Sequence, residues 1–221
     1  MSKNTCIHYN IGVDLGISRQ PTAIAVIEQE TIYRQGLGVE NHELRVRHLE
    51  RLPLDASYPK VVDRVREVLA ALKDSEQAEP SNLIVDITGT GRAVSDLMKQ
   101  SGLSPINVTI TAGAGEQDAA FNEWRIGKAD LVGTLQVLYQ TDKLKVARDL
   151  PLTPILIEEL QAFKLKPPTI NPNDPESWRE GQHDDLVFAV ALAAWRAYRH
   201  LPTIPDEPEQ NYFGGEGSWM G

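Results

Sequence analysis

Cysteine, long apolar runs and basic charge are all scarce in this chain. The one cysteine, Cys6, cannot close an intramolecular disulfide, which excludes a disulfide-stapled scaffold and, with no signal-type N-terminus, leads us to expect a reducing cytoplasm. No stretch approaches the roughly 20 apolar residues of a spanning helix, so no membrane partner is expected. Lys and Arg number 22 against 31 Asp and Glu, a net charge of -9, which argues against the broad basic footprint of a tight autonomous DNA binder. A Gly-x-x-x-x-Gly-Lys-Ser/Thr phosphate loop is absent, so no ATPase of the P-loop type is expected. Internal repeats are absent too. With 221 residues, 41% of them hydrophobic, the expectation is one domain over 1–201 and a Pro/Gly-rich tail over 202–221.

What the chain does have is acids placed where apolar elements end. Asp14 closes the run 9–13, Asp86 closes Leu83-Ile84-Val85, and Asp184-Asp185 opens the apolar segment Leu186 to Tyr198. Carboxylates at strand ends and a helix start can converge although scattered in sequence, and such oxygen donors suit Mg²⁺ or Mn²⁺. The pattern points to two-metal phosphodiester chemistry. Each acid also has a plainer reading. Asp14 alone fits a turn after a strand, and the Asp184-Asp185 pair fits helix capping. Asp86 is harder to dismiss, because an acid ending an apolar strand needs a partner or a metal. His183 is read as structural more readily than as a ligand. Gly89-Thr90-Gly91-Arg92 is either a tight strand-to-helix turn or a phosphate contact, from which Arg92 is taken as a DNA-binding candidate.

The remaining pattern alternates strands and helices. Strands are predicted over 9–15 and 22–29, joined as a hairpin, and within 44–52. Val61, Val62, Val65, Val68, Leu69 and Leu72 recur at helical spacing and predict a helix from Pro59 to Lys73. A doubly covered strand follows over 82–87, then a helix over 92–101 and a strand over 106–110. Further helices are predicted over 128–140, 154–163 and 184–200, with a short strand at 144–146 and a proline-rich irregular stretch over 166–181. Three hairpin-like strands followed by alternating elements imply an α/β fold, a mixed sheet flanked by helices.

Four blocks carry a resemblance: Gly12-Val13-Asp14-Leu15-Gly16, Val85 to Arg92, Lys128-Ala129-Asp130-Leu131-Val132, and Trp178 to Val187 with Gln182-His183-Asp184-Asp185. Over 9–198 the chain resembles the C-terminal nuclease domain of the phage terminase large subunit, a ribonuclease H-like fold. The resemblance implies a two-ion Mg²⁺ or Mn²⁺ endonuclease with Asp14 as the bridging carboxylate, Asp86 as the second, and the Asp184-Asp185 pair as the third. Asp185 is favoured as the essential ligand with Asp184 assisting, and the choice stays open. Lys128 is placed near the active site as a DNA contact, although composition alone makes it an ordinary exposed lysine. The implied substrate is double-stranded DNA, cut from concatemeric phage genomes in the bacterial host cytoplasm. The implied partners are a separate packaging ATPase, a small terminase subunit or a portal.

Three other readings compete. A Holliday-junction resolvase uses a similar fold and similar acids. An actin-like or sugar-kinase ATPase shares Gly-Val-Asp-Leu-Gly followed by Thr-Ala-Ile-Ala-Val, but two such domains do not fit in 221 residues. A non-catalytic packaging or assembly module would use the acidic tail to bind a partner.

Overall fold

The computed structural model describes residues 3–16, 20–34, 38–73, 81–163 and 184–199. The chain opens with three long strands, β1 (Lys3–Asp14), β2 (Ala23–Arg34) and β3 (Gly38–Arg51), before its first helix, α1 (Tyr58–Lys73). Then come β4 (Asn82–Asp86), α2 (Gly91–Gln100), β5 (Pro105–Thr111) and a hairpin of β6 (Glu116–Ala120) and β7 (Glu123–Gly127). The described chain finishes with α3 (Lys128–Gln140), β8 (Leu144–Val146), α4 (Thr153–Ala162) and α5 (Asp185–Arg199).

All eight strands join one sheet in the order β6-β7-β5-β4-β1-β2-β3-β8. The first three are antiparallel, whereas β4 runs parallel to β1, β5 to β4, β7 to β5 and β8 to β3. The sheet is therefore mixed, and both faces are covered. Alternation along each strand separates two cores. Ile11, Val13, Ile24, Val26, Leu83 and Val85 face α1 and α2, where Val61, Val65, Val94 and Met98 meet them. Ala23, Ala25, Ile27, Ile84, Val108 and Ile126 face the other way, onto α3, α4 and α5.

The second core explains why α5 lacks an ordinary polar face. It is buried from Asp185 through Trp195, since it crosses the middle strands β1 and β2 and is flanked by α3 and α4. Trp195 stands edge-on to Trp124, ring centroids 5.5 Å apart, so it is core. At the far end Gln29 donates to the Ala197 carbonyl at 2.9 Å and accepts from Asn10, which in turn accepts from Asn82. That buried amide chain ties the last turn of α5 to β1, β2 and β4.

Every strand and helix predicted within the described residues is present, most within two residues of its predicted ends. The first three strands are longer than predicted. Their extensions carry polar residues, such as Thr31 and His42, that are buried without an apolar signal. The β6–β7 hairpin was not predicted, because β6 is exposed along its whole length and its Glu-Gln-Asp-Ala-Ala has no apolar alternation to read. The irregular stretch 166–181, His183 and the tail 202–221 lie outside the described residues.

Candidate active site

Asp14 and Asp86 lie on the same face of the sheet, at the C-terminal ends of neighbouring strands. The last registered pair of β1 and β4 is Val13 with Val85, both facing α1 and α2. The next residue on each strand, Asp14 and Asp86, therefore turns to the α5 side. Both are buried, with 8% and 2% of their surface exposed. Thr88 holds Asp86 in place, its backbone N–H donating to Oδ1 at 2.8 Å and its hydroxyl donating to the same oxygen. The Thr88 hydroxyl also accepts from the Ile110 N–H at 2.9 Å, which ties the loop to β5. Gly89 supplies the left-handed backbone (φ 67°) that turns the chain into α2, where a side chain would be strained.

Across the sheet the row continues from Asp14 to Ala23 to Arg51, each paired with the next across the strands. Arg51, which the sequence pattern did not single out, ends this row and pairs with two carboxylates. Its Nε donates to Asp185 Oδ2 at 2.7 Å and its Nη2 donates to Asp185 Oδ1 at 2.9 Å. The same Nη2 meets Glu159 Oε1 of α4, and the other Glu159 oxygen accepts the Val187 N–H at 3.3 Å. One guanidinium thus serves two buried carboxylates and leaves an excess of negative charge. Burial first, and then the neighbouring Asp185 charge, push the Glu159 carboxyl up to about 7 against the pull of Arg51. Glu159 carried no sequence signal either, since it sits in a short helix among ordinary alternations of acids and leucines.

Asp184 and Asp185 have separate surroundings. Asp185 is 3% exposed and turned to Arg51. Asp184 precedes the helix, where its carbonyl accepts the Phe188 N–H at 3.0 Å, and its Oδ2 lies 3.3 Å from Lys128 Nζ. Lys128 opens α3 and its ammonium sits 4.9 Å from the Phe163 ring centroid and 4.8 Å from that of Phe188. Flanked by two aromatic rings and a carboxylate, it is no ordinary exposed lysine. Asp130, two residues on, accepts the Gly115 N–H at 2.6 Å and braces the loop before β6. Arg92 is exposed and forms a two-pronged pair with Glu123 of β7, at 2.9 and 3.2 Å.

Carboxylate oxygens of this kind suit a hard divalent ion, so the donor set fits in kind. It fits in number only in part: among the described residues, no group of three or more His, Cys, Asp or Glu is gathered closely enough to hold one. Asp14 and Asp86 share the face and Asp185 is near its end of the sheet, but Asp185 is engaged by Arg51.

No protein-family model matches the chain, and no curated protein matches it. Among solved structures it is similar to the human cytomegalovirus terminase nuclease domain, Mn soaked and inhibitor bound, at 15% identity over 85% of this chain and 83% of that one, with a TM-score of 0.51. A second Mn-soaked structure of that domain is matched at 13% identity over 85% and 82%, TM-score 0.48, and Thermus thermophilus RuvC at 14% identity over 86% and 93%, TM-score 0.36. The first of these likenesses, with the strand order and helix placement above, shows that the fold is ribonuclease H-like.

Proposed function

We propose that the chain is a metal-dependent DNA endonuclease of the terminase nuclease kind, working with two Mg²⁺ or Mn²⁺ ions. The observation that carries this is the placement of Asp14 and Asp86 on one face at adjacent parallel strand ends, beside the acidic start of α5, in a ribonuclease H-like fold. The solved structure with a TM-score of 0.51 is a Mn-soaked terminase nuclease domain, which supports the reaction class and the ion. When bound, such ions supply an activated water and stabilise the leaving oxygen. The residues of the chain provide rigidity: Asp14 and Asp86 sit on strand ends, and Thr88 fixes the Asp86 carboxylate. Lys128 offers a held cation for a phosphate at the edge of the site, and Arg92 a second one further out. The setting we infer is the cutting of concatemeric phage DNA in the host cytoplasm, with the packaging ATPase, small subunit and portal supplied by other chains.

Plasmid DNA with Mn²⁺ and with EDTA tests the reading. Nicking or linearisation that chelator abolishes is expected; cleavage in chelator, or none at micromolar protein with Mn²⁺, would overturn it. A second reading, the non-catalytic assembly module, is favoured by the engagement of Asp185 and by the lack of a gathered trio of ligands among the described residues. It predicts no cleavage under any metal. Cleavage confined to four-way junctions would instead mark a resolvase.

A further inference from the structure

Phe121 is 93% exposed, the most exposed large apolar side chain among the described residues. A ring left in water adds nothing to the core, and the turn that carries it has no use for it. β6 and β7 are joined by Phe121-Asn122 alone, closed by the Ala120–Glu123 pair. The left-handed backbone there is supplied by Asn122 (φ 56°), a residue type suited to it, so a polar residue at 121 would serve the hairpin as well. Yet the mounting of the ring is rigid. The Asn122 carbonyl accepts the Asn107 N–H at 2.8 Å, and Arg92 of α2 holds Glu123 by two hydrogen bonds, at 2.9 and 3.2 Å. A fixed ring facing solvent is the geometry of a stacking platform.

The place of the tip in the sheet decides what it can meet. Asp86 of β4 is in register with Val108 of β5, and Val108 with Trp124 of β7; Phe121 precedes Trp124 by three residues. The ring is thus on the order of 15 Å from Asp86, about five nucleotides along a strand. Trp124 and Ile126 pack on the α5 side, so Glu123 and Arg125 take the α2 side by alternation. There Arg92, Asp96 and Lys99 recur at i, i+4 and i+7 on the exposed face of α2. Three cations therefore meet two acids on this side, in a chain whose net charge is -9. Arg125 is the surplus cation: it is exposed and enters no ion pair among the described residues.

We propose that Phe121 stacks on an unpaired base about five nucleotides from the cut, with Arg125 on an adjoining phosphate, so that the preferred DNA carries a single-stranded stretch there. This rests on the nuclease reading above. Opening a paired step costs at least as much as one stacking contact returns. The ring therefore selects bases that are already unpaired, and it does so without regard to sequence, because every base has a face to stack on.

Fluorescence anisotropy of the full chain in chelator, with a labelled single strand and with its duplex, tests this apart from cleavage. The unsubstituted protein is expected to bind the single strand about tenfold more tightly. Phe121→Ala should abolish that difference and leave the melting temperature unchanged. Phe121→Tyr should keep it and Phe121→Leu should lose it, because the contact is a stacked ring rather than apolar area. Arg125→Ala should weaken both forms alike and reduce the salt slope by about one. Equal affinity for the two forms, or a preference that survives in Phe121→Ala or Phe121→Leu, would overturn the proposal. So would self-association that Phe121→Ala abolishes with DNA binding untouched, since the tip would then be a contact between proteins. Mn²⁺-dependent plasmid cleavage without a single-strand preference sinks this proposal and leaves the nuclease reading standing. A preference lost in Phe121→Ala by a chain that cleaves nothing supports the stacking contact and overturns the nuclease reading alone.

Discussion

Gly12 of β1 and Ala189 of α5 are in backbone contact: a methyl group on Gly12 would lie 1.9 Å from the Ala189 carbonyl oxygen and 3.0 Å from the Ala193 nitrogen. This close approach lowers the first turn of α5, with Asp184 and Asp185, toward the ends of β1 and β4. Gly12→Ala is therefore expected to force α5 away from the sheet. The cost should be about 3 kcal/mol, at the upper end for overpacking because backbone rather than a flexible side chain is met. Chemical denaturation measures it, and a loss of under about 1 kcal/mol would show that the helix shifts freely.

Asp14→Asn and Asp86→Asn should each abolish Mn²⁺-dependent cleavage and change stability in chelator by less than about 1 kcal/mol. The amide keeps the shape of the carboxylate, and in Asp86→Asn the side-chain carbonyl oxygen can still accept the Thr88 hydrogen bonds. Plasmid cleavage and melting curves on the same preparations check both halves. Retained cleavage would return Asp14 to a turn residue.

Lys128 and Arg92 should separate in a binding experiment. Arg92 is exposed and paired only with the partly exposed Glu123 on the described surface that faces it, so Arg92→Ala should change stability by no more than about 1 kcal/mol. Each substitution should weaken duplex DNA binding across sequences and reduce the salt slope by about one. Lys128→Ala should in addition lower the melting temperature, since its ammonium and stem fill the space between Phe163, Phe188 and Asp184. Sequence-specific, salt-insensitive binding by the chain would contradict the account.

His42 should make the protein less stable in mild acid. Burial, and then the nearby Lys143 charge, hold its imidazole below the ordinary 6.5, and its Nε2 has no hydrogen-bond partner among the described residues. The folded state resists a proton that the unfolded chain accepts. The contribution is thus fully present above the unfolded value and is lost as pH falls through the folded one. Between about pH 7 and about pH 5, His42→Phe should flatten the fall in melting temperature relative to the unsubstituted protein. An unchanged pH profile would place the acid sensitivity elsewhere.

A chain ending at Leu201 should melt and cleave like the full one. The described sheet and its flanking helices lie within 3–199, and 202–221 is rich in Pro and Gly with few apolar residues. A stability loss of more than about 1 kcal/mol would move the domain boundary past residue 201.

Periodicity was enough to place α1 through Val61, Val65 and Val68, and β4 through Leu83-Ile84-Val85, because burial on a repeating face writes itself into the order of residues. The acids Asp14, Asp86 and Asp184-Asp185 were legible for a related reason: each interrupts or bounds an apolar run, and a charge there demands an explanation. Neither the β6–β7 hairpin nor the Arg51–Asp185–Glu159 cluster could be read that way. β6 buries nothing, so its pairing with β7 leaves no apolar pattern. Arg51, Glu159 and Asp185 are separated by over a hundred residues in one direction and by an intervening loop in the other, and Arg51 and Glu159 each alone resemble an ordinary surface charge. Their meeting depends on the register that aligns Asp14, Ala23 and Arg51 across three strands and on the depth to which Gly12 admits α5. Register and helix depth are set by packing between distant segments, and that packing gives Asp184 and Asp185, neighbours in sequence, different partners.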